Sequence, residues 1–475
     1  MKLFSYLCLP HRMLMVVTLF LMGIGRLFAQ SDGIPRGAQL PYIRYESENG
    51  QYGGGASLQQ APTFDQNSIA SEASNQKYVS LPTNGSYVQW TTSAIARGVT
   101  LRFTMPDDNA GNGLSGSLSF YVGNTRVKVI NLSSYWAYQY FPAGQYEPVQ
   151  TYSSGAKTFM RFDEVHFRLD NPIPAGSVIK IVKENGDNLT YGVDFIELED
   201  VPAALPAPAN SLSVTAYGAV PDDNNDDLAA FNACLAAAAA QGKNVYIPAG
   251  RFILSDKWIV NVSNMKIQGA GIWYTELYFS TDKQFYGGIM ARSTNVEISD
   301  FYMNTANNDR FKYDETNARV PGDPYKIYKG FMGTYGSNSR IHDVWIEHFE
   351  CGMWIGGYDP PYPIDVTDGL VISRARIRNN YADGVNFCQG TSNSVVEYSS
   401  IRNEGDDGLA MWPNNYMNAP QERNNIFRYC TIENNWRAGG IAIFGGTGHQ
   451  VYRCIIKDGV AGSAIRFTND FPGYT

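Results

Sequence analysis

Hydrophobic and polar positions along this chain follow two different rhythms. From Tyr42 to Asp200 short apolar runs alternate with polar residues and break at Gly, Asn, Asp or Pro: Tyr87-Val88-Gln89-Trp90, Val99 to Phe103, Leu118 to Val122, Val178 to Val182 and Phe195 to Leu198. Short strands at regular spacing with turn residues between them predict a β-sandwich over residues 40–200. Residues 201–210, rich in Ala and Pro, read as an extended linker. A single amphipathic helix follows, with Asp226 as a cap, Leu228, Phe231 and Leu235 on one face, and Gly242 at its end. A helix before a run of strands suggests a lid over the open end of a sheet stack.

The second rhythm is a repeat. Gly352-Met-Trp-Ile, Gly384-Val-Asn-Phe, Gly408-Leu-Ala-Met, Gly440-Ile-Ala-Ile and Ala464-Ile-Arg-Phe share a small residue followed by apolar, any, apolar, and their first apolar positions step by 32, 24, 32 and 24. A second ladder, Ile346, Ile377, Ile401, Ile432 and Ile456, steps by 31, 24, 31 and 24. Two ladders advancing together imply a solenoid whose every turn adds one rung to each of several parallel sheets. The fold class is therefore all-β: a right-handed parallel β-helix over 211–475, behind the sandwich. Met265 to Ile267 and Val296 to Met303 look like earlier coils. Asn304 to Lys329 is a larger excursion, whose Asp, Arg and Tyr content suits one wall of a cleft.

Composition narrows the setting. Residues 1–29 carry Lys2 and Arg12, an apolar run from Met13 to Gly25, and Leu27-Phe28-Ala29 before Gln30, the layout of a secretory signal peptide. The mature protein is expected to be secreted. A formal net charge of −8 disfavours nucleic acid and other polyanions as partners and suits a neutral glycan. No membrane contact is expected, and the protein is expected to be a monomer. Five cysteines remain after the leader (Cys234, Cys351, Cys388, Cys430, Cys454), an odd number without C-x-x-C spacing. Cys430 and Cys454 align with Ser399 and Ala375 in a ladder of small inward residues, which favours a reduced core stack over a bridge.

The repeat also assigns chemistry. Asp383 and Asp407 hold the same place in adjacent coils, each just before its stacking glycine, and Asp406 lies one residue away. Parallel strands sit ~4.8 Å apart, so three carboxylates converge on one patch, an unfavourable crowding that raises at least one pKa. Single Asp-Gly pairs are commonly just turns, but Gly405-Asp406-Asp407-Gly408 stacked on Ala382-Asp383-Gly384 suits glycoside hydrolysis, which needs one protonated and one ionised carboxyl group. With Val385 and Phe387 inward, Asn386 points out, and Trp354, Ala410, Ala442 and Arg466 form an outward row beside the aspartates. Trp412, Phe444, Tyr358 and Trp436 lie close by in register, and exposed aromatic faces are what sugar rings stack on. Neither H-E-x-x-H spacing around His342, His348 and His449 nor a G-x-S-x-G motif occurs.

From about Ser211 onward the chain resembles glycoside hydrolase family 87, the bacterial α-1,3-glucanases (mutanases and mycodextranases), in its Asp followed at this spacing by an Asp-Asp pair. The stretch from Val214 to Ile247-Pro-Ala-Gly resembles the opening of pectate-lyase-like β-helices. The resemblance implies an inverting, endo-acting hydrolase without a catalytic cofactor, with Asp406 as general acid and Asp383 with Asp407 handling the water. Residues 40–200 resemble carbohydrate-binding modules of families 6 and 35, through Tyr45-Glu-Ser-Glu48 and Val193-Asp-Phe-Ile-Glu. That likeness implies a structural calcium held by Glu46, Glu48 and Asp194, with Trp90 and Trp136 as candidate sugar contacts. Because Thr475 follows closely on the last rung, a truncated solenoid is expected.

Alternatives are a polygalacturonase- or dextranase-like hydrolase, a polysaccharide lyase with an Arg or Lys base, or a non-catalytic glycan-binding adhesin. Against the first, only Gly448-His449-Gln450 and Ile465-Arg466-Phe467 stand where Gly-His-Gly and Arg-Ile-Lys would be expected.

Overall fold

The alternating runs of the first region pair into two antiparallel sheets. One is six-stranded, with Tyr191–Glu199 central between Ala96–Thr104, Lys77–Leu81 and Tyr42–Glu46; the other is five-stranded, with Val178–Val182 between Tyr87–Thr91 and Ser115–Val122. Their facing sides bury Val79, Val88, Leu101, Phe120, Ile179 and Val193. Strand Tyr87–Thr91 buries alternate residues, as a strand with one wet face should. Strand Tyr191–Glu199 is buried at every position. Its second face must therefore be covered.

The cover is the solenoid. This computed structural model describes residues 33–61, 65–280, 286–310, 327–356, 366–414 and 419–469. Three parallel stacks run through it. In one, Met353, Val385, Leu409, Ile441 and Ile465 are in register; in another, Ile346, Ile377, Ile401, Ile432 and Ile456. Both ladders expected from the repeat are present rung for rung. A third, Ile341, Ile372, Val396, Phe427 and Val451, mixes branched and aromatic residues and shows no constant residue type to read from sequence.

Helix Leu228–Gln241 buries Phe231 against Phe252 and Trp258 beside the first coils and ends at Gly242 in the left-handed region. Asp227 is its N-cap residue, while the Asp226 carboxylate accepts the Leu228 amide at 3.1 Å. All five described cysteines are free, Cys430 and Cys454 included. Among the described residues no helix is long and apolar enough to cross a membrane.

Sandwich and solenoid lie within one compact unit, Gly37–Thr475. Between them is a layer of buried ions. Arg378 and Arg402, both fully buried, reach from the solenoid to Glu164 and Glu197 of the sandwich, with Arg402 Nη1 2.8 Å from Glu197 Oε1. Arg44 of the sandwich reaches Glu433 of the solenoid, and Arg376 meets Glu199 at 2.7 Å. Removing either partner of such a pair would strand a charge in a dry interface. The apolar complement is Phe159, Met160, Tyr381, Trp436 and Val460.

Several expected sugar or metal contacts are consumed by this packing. Trp90 is buried, its indole donating to the Glu46 carbonyl; Trp136 stacks on His348 at 4.6 Å and donates to the Thr305 carbonyl. Asp194 is closed off by Arg102, and both its oxygens accept the Ser74 amide at 3.1 Å. It cannot join Glu46 and Glu48 as an open oxygen ligand. Those two glutamates each keep one buried oxygen without a partner.

Candidate active site

The turn that delivers the aspartates is built by asparagine. Asn379, Asn403 and Asn434 adopt left-handed φ of 57°, 63° and 57° on successive coils, a conformation Asn tolerates better than most residues, and Asn403 donates to Asn379 at 2.8 Å. Five or six residues later comes a column of glycines, Gly384, Gly408 and Gly440. A Cβ at Gly384 would lie 2.4 Å from the Gly408 carbonyl, and one at Gly408 would lie 2.5 Å from Ile432. Only glycine permits that approach, and the residue before it is delivered to the mouth of the stack that holds Val385 and Leu409.

There Asp383, Asp406 and Asp407 each present a carboxylate oxygen within 4.8 Å of the others. Asp383 accepts the Asp407 amide on one oxygen and Asn386 Nδ2 on the other, each at 3.1 Å; Asp407 accepts the Gly439 amide at 2.9 Å. Both are buried, whereas Asp406 is 26% exposed and pairs with Arg310 at 2.7 Å. Burial, reinforced by Asp406, pushes Asp383 up to about 7. The same causes, with Asp383 added, hold Asp407 well above the usual carboxylate range. The patch thus retains protons near neutrality.

Glu404 lies just upstream, fully buried, accepting Asn380 Nδ2 at 3.3 Å; burial raises its pKa well above the ordinary value. Lys329 pairs with Glu350 and sits 4.5 Å over the Trp354 ring, and Trp354 meets Trp412 edge-on at 5.5 Å. Those two tryptophans are partly exposed beside the trio's stack. Asn386 Oδ1 is buried without a partner. Phe444 is largely covered, with Arg466 5.6 Å from its centroid.

Trp436 requires a correction. It is fully buried against Phe159 and Phe141 of the sandwich and has no face for a sugar. Register alone put it near the aspartates, but it points the other way, into the interface. Tyr358 falls outside the described residues. Residues the sequence did not single out also reach the site. Arg310 comes from the excursion expected to form a wall, and Glu147 of the sandwich contacts both Arg310 (3.7 Å) and Arg437 (3.0 Å). No local motif marks Glu147, because its partners lie far off in sequence.

The profile of the α-1,3-glucanase catalytic domain D1 matches residues 39–201, and that of the α-1,3-glucanase catalytic domain D2 matches residues 229–474. The chain belongs to the α-1,3-glucanase family, glycoside hydrolase family 87. It is a glycoside hydrolase. The Agl-KA catalytic domain is similar over 94% of this chain and 76% of its own, with 50% identity and a TM-score of 0.87. The catalytic unit of the thermostable enzyme of this family from Streptomyces thermodiastaticus strain HF3-3 is 30% identical, with a TM-score of 0.74, over 90% of this chain and 70% of its own. Mannuronan C5-epimerase AlgE2 of Azotobacter vinelandii is 31% identical over 181 residues, which are 36% of this chain and only 17% of that protein. Both of the family's catalytic-domain profiles are needed to cover the chain, in keeping with a sandwich welded to the solenoid by buried ions.

Proposed function

We propose that this protein is an exported, monomeric endo-hydrolase of neutral α-1,3-glucan that inverts the anomeric centre. The observation that carries the reading is the meeting of three carboxylates within 4.8 Å on adjacent rungs, two of them buried and proton-retaining. Asp406, the exposed member, has the reach to protonate the glycosidic oxygen. Asp383 and Asp407 hold the attacking water between them and take its proton. The Asp406 carboxylate pairs with Arg310 at 2.7 Å, so the acid role requires the guanidinium to move aside as sugar binds and Asp406 to receive the trio's proton. Trp354 and Trp412 offer faces to glucosyl rings, and Asn386 Oδ1 accepts a sugar hydroxyl.

One measurement favours a second reading. Inverting pairs usually stand ~6.5–9.5 Å apart and retaining pairs ~5–5.5 Å, and the oxygens here come within 4.8 Å. Asp383 and Asp407 are poorly placed as nucleophiles, however, because both are buried and held by hydrogen bonds, so a small water reaches them more readily than an anomeric carbon does. NMR of the first product from α-1,3-glucan decides: β-anomer is expected, and α-anomer overturns inversion. A panel of α-1,3-glucan, dextran and polygalacturonate with reducing-sugar readout tests the substrate. Hydrolysis of α-1,3-glucan alone is expected, and binding without hydrolysis of any of them would favour the adhesin.

The sandwich retains a glycan-contacting role in this reading, and a structural calcium is assigned to the unpartnered oxygens of Glu46 and Glu48, away from the chemistry. Chelation should lower the unfolding temperature but leave the rate per folded molecule unchanged.

A further inference from the structure

The most exposed large aromatic side chain among the described residues is Tyr146, at 81%. It does not hang loose. Its loop is closed at the base by the paired backbone bridge between Tyr140 and Val149, and Phe141 beside it packs on Phe159 and Trp436. Beneath the ring lies Arg437, 13% exposed, whose guanidinium is 4.9 Å from the ring centroid and donates to the Tyr146 carbonyl at 3.3 Å. Arg437 holds Glu147, Glu147 contacts Arg310, and Arg310 holds Asp406. A continuous chain of charges thus joins this ring to the exposed aspartate.

Leaving an aromatic ring in water forgoes the burial that ordinarily stabilises it, and a cation beneath fixes the ring's tilt. The surrounding charges compensate one another, so the exposed face suits an uncharged ligand presenting C–H groups, such as a pyranose ring. We propose that Tyr146, contributed by the sandwich, is the platform of a distal glucosyl subsite, continuous with the catalytic groove and used only by substrates long enough to reach it. The inference rests on the placement of the reaction at Asp406.

The test uses the full chain, with kcat and KM measured for α-1,3-linked oligosaccharides of increasing length and for the polymer. Tyr146→Ala should raise KM about 5- to 10-fold for the long substrates, the equivalent of one lost ring contact, while the shortest cleaved oligosaccharide keeps its kcat and KM. Tyr146→Phe keeps the face and should behave as the parent. An unchanged KM for long substrates, or an equal rise at every length, overturns the subsite. Asp406→Asn is run in parallel. If it abolishes hydrolysis while Tyr146→Ala has no effect, this inference alone falls; if it retains hydrolysis, the catalytic placement falls and the subsite with it.

Discussion

Two clusters of buried charge sit on the same coils of this solenoid, a few residues apart, and the protein treats them oppositely. At the interface, Glu164, Glu197 and Glu433 face Arg44, Arg378 and Arg402, and these guanidinium groups outweigh burial, holding the three carboxylates below their ordinary range. At the groove, Asp383, Asp406 and Asp407 converge with Arg310 as the ion-pair partner of the exposed member, and burial raises the two inner ones. Arg378 and Asp383 are five residues apart. The same low-dielectric surroundings make a matched set an adhesive and an unmatched set a proton store.

Breaking the groove side should produce the largest effect. Asp406→Asn or Asp407→Asn is expected to lower kcat on α-1,3-glucan by about 10³-fold, the scale of a lost acid–base group. Calorimetry should find Asp407→Asn no less stable, since the amide matches the neutral form that burial favours there, and Asp406→Asn somewhat less stable, since it takes the carboxylate from Arg310. Breaking the interface side should do the reverse. Arg402→Met leaves Glu164, Glu197 and Glu433 short of a cation and should cost about 3–5 kcal/mol in denaturant unfolding, with little change in kcat for the molecules that remain folded.

Acidity should separate the two clusters further. Asp383 binds its proton more tightly folded, at about 7, than unfolded, near 3.8, so its contribution to stability is full below the unfolded value and is lost as pH rises through about 7. Glu197 has the opposite sign: its contribution is present above the ordinary 4.5 and fades as pH falls below it. Melting curves of Asp383→Asn against the parent should diverge as pH rises from 4 to 7, in favour of the variant. Those of Arg402→Met should converge with the parent as pH falls below 4.5. A parallel offset at all pH values would remove the distinction.

The smallest effect is expected at Glu404. Its carboxyl group accepts Asn380 Nδ2 on one oxygen, and burial keeps it protonated. Glu404→Gln reproduces that neutral shape, so activity should stay within about twofold and stability within about 1 kcal/mol. A large loss would mean that Glu404 ionises in the working enzyme.

Periodicity carried most of what could be read from the chain itself. The steps of 24 and 32 residues, the inward Ile ladder and the small residue before each rung arise because every coil repeats one local geometry, so register follows from counting. The stacking of Asp383 on Asp407 came with that register, as did the outward direction of Trp354 and Asn386. Tertiary structure decided what periodicity cannot encode. Arg402 meets Glu164 across 238 residues, and no spacing rule links a sandwich strand to a solenoid turn. The docking of the two domains turned Trp136 and Trp436 from sugar platforms into packing and brought Glu147 and Tyr146 toward the groove, while within the sandwich Arg102 closed Asp194. Coil arithmetic fixes neighbours along one axis, whereas the facing of two domains depends on which buried charges can find partners in three dimensions.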